Sequence, residues 1–242
     1  LPRIRGRLRS IILLLLTVFV TADLLNHQPS LSPSVDPDVY ACVNRNAGQL
    51  AGAKYPLGRA LPAMAVIERQ VYGEIPPLAE FIPEMRDGLA FNLNLLDGIS
   101  SVGGFYSLHL PPFKEVSSGL FGEDGELNDP LADFIGVMRT TGGGAGTFWV
   151  PRPHARAMVT VGREPFFGKP AEVLERVREG RFDPGRQVLL QEGAEVALGH
   201  GAVPEARVSV IRLAAHHIEF RVETPRPTVA TIAQVGYHWW QA

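Results

Sequence analysis

Apolar and polar positions repeat with three different periods along this chain, and each period predicts a different element. Residues 11–25, IILLLLTVFVTADLL, carry no charge before Asp23 and no polar stripe, so they predict a helix that is apolar on every face. Residues 169–182, KPAEVLERVREGRF, instead place Ala171, Leu174 and Val177 three apart with charges between them. That is the pattern of a surface helix packed on a sheet along one face, its glutamates and arginines in solvent. From Ala206 the period falls to two. Val208, Val210 and Arg212 share one strand face, Ile218, Phe220 and Val222 do the same, and TVATIAQVGY supplies a third strand, predicting an antiparallel meander with one buried side.

The intervening chain is punctuated by turn residues. NHQPSLSPSVDP, residues 26–37, reads as a polar linker, and Asp36-Pro37 reads as the cap and first proline of a short helix through Val39, Cys42 and Val43 that ends near Gly48 or Gly52. PAMAVIE, residues 62–68, predicts a strand, whereas the Pro-interrupted residues 73–90 yield no assignment. SSVGGFYSLHL (100–110) predicts extended chain, with Gly103-Gly104 permitting a bulge. DPLADFIGVMRT (129–140) predicts a helical turn or two leading into a strand, TGGGAG (141–146) a hairpin turn before TFWV, and FDPG (182–185) a turn into the strand RQVLLQE. Twenty prolines and 25 glycines among 242 residues favour a β-rich α+β fold over a helical bundle, in one large domain or two small ones.

Charge sharpens the reading of the N-terminal run. Arg3, Arg5, Arg7 and Arg9 precede it, which argues against a buried core helix. As a helix, residues 11–25 rise about 22 Å against about 30 Å of hydrocarbon, a deficit that snorkelling arginines and bilayer thinning reduce. A basic flank, a short apolar run and Val20-x-Ala22 also fit a secretory signal peptide. Either way the arginines stay cytoplasmic and the chain after Asp23 lies outside. The formal net charge of −2 provides no basic field for nucleic acid. Cys42 is the sole cysteine, so an internal disulfide, a multi-cysteine zinc site and a CxxC pair are all excluded.

Candidate chemistry is sparse. TGGGAG lacks the Lys-Ser/Thr of a phosphate loop and no helix pattern follows it. His216 and His217 are adjacent in a predicted strand, where neighbours point to opposite faces and do not readily ligate one ion. His154, between Arg152 and Arg156, sets arginine forks beside an imidazole that suit an anionic glycan or lipid phosphate, although a solvated loop is the simpler account. Asp97, Asp124, Asp129 and Asp133 read as caps and turns. There is no GxSxG, and Cys42 has no identifiable base. No catalytic residue, metal ligand or cofactor follows from the sequence. Tyr237, Trp239 and Trp240 are able to stack on sugar rings but read more simply as packing.

The order of segments NLNLLDGISSVGGFYSLHL, DPLADFIGVMRT, PRPHARAMVTV, RFDPGRQVLLQE and IEFRVETPRPTVATIAQVGYHWWQA resembles the C-terminal extracytoplasmic region of the YfhO-type bacterial membrane proteins. Gly104-Phe105-Tyr106-Ser107 stands where that family has Gly-Tyr-Asp-Pro, and Tyr237-His238-Trp239-Trp240 where it has Tyr-Pro-Gly-Trp. Asn94 and Tyr106 lie where the pattern is densest, and the resemblance implies that they belong to a surface facing the membrane half and its substrate. The resemblance implies a parent protein that is a multi-spanning glycosyltransferase using polyprenyl-phosphate sugars to decorate cell-envelope polymers, with its catalytic carboxylate in a membrane half that this chain lacks. The organisation it implies is a transmembrane helix with a basic cytoplasmic flank (1–25), a linker (26–38), a mixed α+β lobe (39–205) and the truncated start of an antiparallel β-sandwich (206–242). The aromatic cluster at the chain's end fits a cut inside that sandwich. The expected role is an extracytoplasmic accessory domain at the bacterial cell membrane, partnered by the bilayer, the membrane-embedded half, a polyprenyl-phosphate sugar and an envelope glycan, and using no cofactor. The alternatives are a membrane-anchored or secreted carbohydrate-binding module and, third, an envelope hydrolase.

Overall fold

The computed structural model describes residues 2–27, 36–54, 57–103, 111–142, 147–192, 201–214 and 217–233. Tyr106, His216, Tyr237, Trp239 and Trp240 lie outside them, as do the glycines of the predicted 141–146 turn from Gly143 onward. The chain divides into two units, Leu1–Asp38 and Val39–Ala242.

The first unit is built on α1, Pro2–His27. Ile11 through Leu16, Val18, Phe19 and Val20 all stand at least 47 % exposed, and because helical neighbours are about 100° apart these positions cover every face. The helix and its all-round apolar character therefore follow the sequence pattern. The expectation of a transmembrane helix is corrected, since among the described residues no helix is long and apolar enough to cross a membrane. The uncharged stretch ends at Asp23, and a run from Ile11 to Ala22 rises only about 18 Å.

The second unit is mixed α/β with several small sheets. It opens with α2 (Asp38–Ala41), a single turn whose N-terminus is marked by the Asp36 carboxylate accepting from the Asp38 N–H at 2.9 Å. This is shorter than the helix predicted through Val43. A 3-10 turn at Ala51–Ala53 leads to β1 (Arg59–Leu61) and α3 (Met64–Tyr72). Here the predicted strand at 62–68 is corrected to helix: Val66 and Gln70, four apart, are the residues that α3 buries. The apolar run is too short to reveal its period until Glu68, Arg69 and Gln70 extend it.

Next come α4 (Leu78–Asp87), a 3-10 segment (Ala90–Asp97) and α5 (Pro111–Ser117). α6 (Asp129–Phe134) starts where predicted, with the Asn128 side chain accepting from Leu131 N–H at 3.2 Å and Pro130 in the first turn. It runs into β2 (Val137–Thr141), which pairs parallel with β1 and antiparallel with β3 (Trp149–Pro151), so the 141–146 region does join two hairpin strands. β4 (Val159–Val161) and β5 (Glu164–Gly168) follow. Then α7 (Pro170–Arg178) packs against β5 and β6 (Gln187–Gln191), which pair parallel with each other. Val177 is buried on the predicted face of α7, Ala171 is exposed, and the Arg176 guanidinium lies 3.9 Å from the Phe166 ring centre.

One apolar cluster gathers Leu61, Val102, Leu120, Leu131, Ala132, Val137 and Val177; a second gathers Leu50, Ala53, Ala60, Leu89, Ile99 and Trp149. Both sides of the β1–β2 pair are thereby covered.

β7 (Arg207–Ala214) and β8 (His217–Glu223) pair antiparallel, and Ile218, Phe220 and Val222 alternate inward as predicted. The partner strand does not keep the period. Its register shifts between Val210 and Arg212, leaving Val210 45 % and Ile211 56 % exposed. The third strand of the predicted meander, β9 (Ala230–Ile232), pairs with β4 rather than β8. No sandwich forms among the described residues, because neither β7 nor β8 buries a residue for a second sheet to cover.

Candidate functional site

An open cleft of about 720 Å³ lies between α3, α4 and two loops, lined by Arg45, Asn46, Arg69, Ala79, Glu80, Pro83, Glu84, Asp87 and Thr147. Each wall has a local cause. Glu80, Glu84 and Asp87 fall three and four apart on α4, so one face of the helix carries three carboxylates. Pro83 sits inside the same helix and has no N–H, which deprives the Ala79 carbonyl of its usual donor; both residues line the cleft. Arg69 comes from the last turn of α3, where its guanidinium donates to the Thr147 hydroxyl at 3.0 Å and lies 3.7 Å from Glu84.

The floor is fixed by Asp87. Its buried carboxylate accepts from the Arg45 N–H at 2.9 Å and is paired with the Arg45 guanidinium, and its carbonyl accepts from the Trp149 indole at 3.0 Å. Asn46, also buried, donates to the Thr147 carbonyl at 3.0 Å. Behind this floor Arg86 is 6 % exposed and fully engaged: it grips Asp97 through two nitrogens at 2.8 and 2.9 Å and donates to the carbonyls of Tyr40 and Cys42. The Asp97 hydrogen bonds push the Arg86 guanidinium above its ordinary pKa against the opposing effect of burial. Asn44 closes the network by donating to the Arg86 carbonyl at 2.9 Å and accepting from Asn46 N–H at 2.8 Å.

Between Arg86 and Asp97 the backbone turns through three non-glycine residues in the left-handed region, Leu89 (φ 58°), Phe91 (φ 49°) and Asn92 (φ 67°). Each costs roughly 1 kcal/mol or more. Burial of Leu89 against Trp149 and Ile99 and the Arg86–Asp97 clamp hold the turn in place. The cleft is thus a polar surface on a rigid base. It presents donors from Arg45, Arg69, Asn46 and Thr147, and acceptors from Glu80, Glu84, Asp87 and Ala79.

The predicted site residues are placed differently. Asn94 is corrected from a substrate-facing surface to a buried turn residue, 6 % exposed, whose amide donates to the Ile99 carbonyl at 2.8 Å. Tyr106, Tyr237 and Trp239 lie outside the described residues, so the structure brings none of the four candidates together. Asp97 is corrected from cap to ion-pair partner. Asp129 and Asp133 both receive Arg152 at 2.6 Å, which occupies the fork that His154 was expected to share, and His154 itself is exposed. Asp124 is the turn residue expected, accepting from Glu126 N–H at 3.0 Å. His217 is exposed beside Glu219 at 3.6 Å, and no group of three His, Cys, Asp or Glu residues able to hold a metal occurs among the described residues.

Sequence reasoning missed the cleft because residues 73–90 received no assignment. The signal available was the spacing of Glu80, Glu84 and Asp87, which needs a helix to bring the three onto one face. The chain matches no family model, no curated protein and no solved structure at a significant level.

Proposed function

We propose that this chain is a membrane-associated accessory domain of a YfhO-like cell-envelope protein. In this reading the apolar stretch of α1 inserts into the membrane without crossing it, and the lobe from Val39 onward works at the extracytoplasmic face. The lobe offers its cleft to a hydroxyl-rich acceptor glycan while a polyprenyl-phosphate-sugar-dependent glycosyltransferase half of the same protein carries out the transfer. The observation that carries the reading is α1: a helix apolar on every face and exposed along Ile11–Val20 has no aqueous state that satisfies it. The cleft supports the second half of the reading, because each sugar hydroxyl both donates and accepts and the lining supplies both kinds of partner. A membrane-anchored or secreted carbohydrate-binding module is the second reading and rests on the same cleft.

Fractionation tests the first half: the full chain partitions with membranes and deletion of residues 2–27 releases it. A full chain that stays in the aqueous fraction ends the proposal. Glycan-array binding by the full chain in detergent, weakened at least tenfold by Glu84→Gln or Arg69→Ala, tests the second half. Recovery of the upstream coding sequence separates the two readings, since apolar spans ahead of Leu1 favour the accessory domain.

A further inference from the structure

The 3-10 segment Ala90–Asp97 is amphipathic the wrong way round. It buries the polar Asn94 and leaves Leu95 72 % exposed, with Phe91 and Leu96 exposed as well. The inversion is built into the backbone: the chain enters the segment through left-handed Leu89, Phe91 and Asn92, and the turn that follows brings the Asn94 amide to the Ile99 carbonyl at 2.8 Å, which keeps the asparagine inside. Backbone held in so costly a conformation gathers at functional sites. A second run of exposed apolar residues stands beside the first. Val43 is 73 % exposed and Tyr40 is exposed too, and one guanidinium ties their segment to the first: Arg86 grips the Asp97 carboxylate at 2.8 and 2.9 Å and donates to the Tyr40 carbonyl at 2.7 Å and to that of Cys42. Tyr40, Val43, Phe91, Leu95 and Leu96 are therefore gathered within a few residues of a single buried clamp.

Apolar side chains grouped on a surface mark a place that something covers, and the chain itself points to the occupant. Residues 28–38 are all that separate α1 from Val39, a tether of at most about 40 Å even when fully extended. Tyr40 and Val43 follow directly on that tether, so the phase that takes up the apolar faces of α1 lies within their reach. Charge agrees with a lipid surface. The Asp97 carboxylate next to Leu96 is met by Arg86, and the charged residues that flank 40–43 in the sequence, Asp38 and Arg45, are opposite in sign. What remains is a cluster without net charge that sets a phenol and a phenyl ring among aliphatic side chains, the composition that settles at the boundary between headgroups and acyl chains. Arg45 also lines the cleft, and Asp87 of its floor follows Arg86 directly, so seating this patch holds one wall of the cleft at the headgroups.

We infer that Tyr40, Val43, Phe91, Leu95 and Leu96 form a second bilayer contact, by which the lobe itself lies on the lipid surface. The inference rests on the membrane reading of α1 given above. It is tested on the full wild-type chain bound to phosphatidylcholine vesicles whose acyl chains carry a diazirine, with the adducts mapped by mass spectrometry after irradiation. Adducts are expected in α1 and, within the lobe, at 40–43 and 91–96 at about five times or more the level at exposed residues elsewhere, such as Arg181. The paired substitution Leu95→Asn and Leu96→Asn lowers the adducts at 40–43 by about fivefold or more and leaves those in α1 unchanged. The wild-type map needs no variant, so a misfolded mutant does not obscure it. A chain labelled in α1 but evenly or not at all over the lobe overturns the patch and leaves the membrane reading standing, whereas a chain that takes up no label ends both. Labelling at 40–43 that survives the paired substitution also overturns the patch.

Discussion

Two buried arginines in this lobe are treated in opposite ways. Arg86 has its charge met by Asp97 and further nitrogens met by the carbonyls of Tyr40 and Cys42. Arg163 is about as buried, stands near another arginine and has no hydrogen-bond acceptor among the described residues. The difference separates two uses of one side chain. A guanidinium whose donors are all consumed internally is a fastener, and one buried without an acceptor of its own is a charge that the fold carries at a cost.

Breaking the fastener has the largest expected effect. Asp97→Ala leaves Arg86 buried and uncompensated, and it lowers unfolding free energy by about 3–5 kcal/mol in urea titration. Since the same pair clamps the strained Leu89–Asn92 turn, the variant is also expected to weaken the glycan binding proposed for the cleft.

Arg163 behaves in the reverse sense. In chloride, Arg163→Met is expected to be more stable than wild type by about 1–2 kcal/mol, because it removes a buried cation without orphaning a partner. The pH dependence carries a definite sign. With the folded pKa pulled down to about 10, below its ordinary value, the unfolded chain binds more protons in that window, so wild-type stability rises with pH there. The advantage of Arg163→Met is full below about pH 10 and shrinks as pH climbs above it. Parallel guanidinium titrations of the two proteins at pH 8 and 10.5 measure the convergence, and a constant gap contradicts the assigned cause.

The smallest effect belongs to an arginine on the surface. Arg181, 61 % exposed beside Glu175 and Glu179, changes stability by less than about 0.5 kcal/mol when replaced by alanine.

The parts of the fold that were legible share a local signature. α6 announces itself through Asn128 and Pro130, α7 through Pro170 and the Ala171–Leu174–Val177 spacing, and β6 through the FDPG turn before it. What the sequence hides is long-range. β9 was read as the neighbour of β8 because they are consecutive, but its partner is β4. The cleft joins Arg45 to Asp87 across 42 residues and Asn46 to the Thr147 carbonyl across 101, and no periodicity reports such pairings. Asn94 illustrates the same limit. The resemblance puts it on a surface, and only the tight turn from Phe91 to Ile99 gives its amide an internal acceptor.

The pairing of β4 with β9 also has a consequence for biogenesis. Val161 meets Ala230 only after nearly all of the intervening chain has been synthesised, and β1 similarly waits for β2. Closing such distant contacts is entropically slow, so β4 and β1 emerge with open edges that stay unpaired until β9 and β2 have been made.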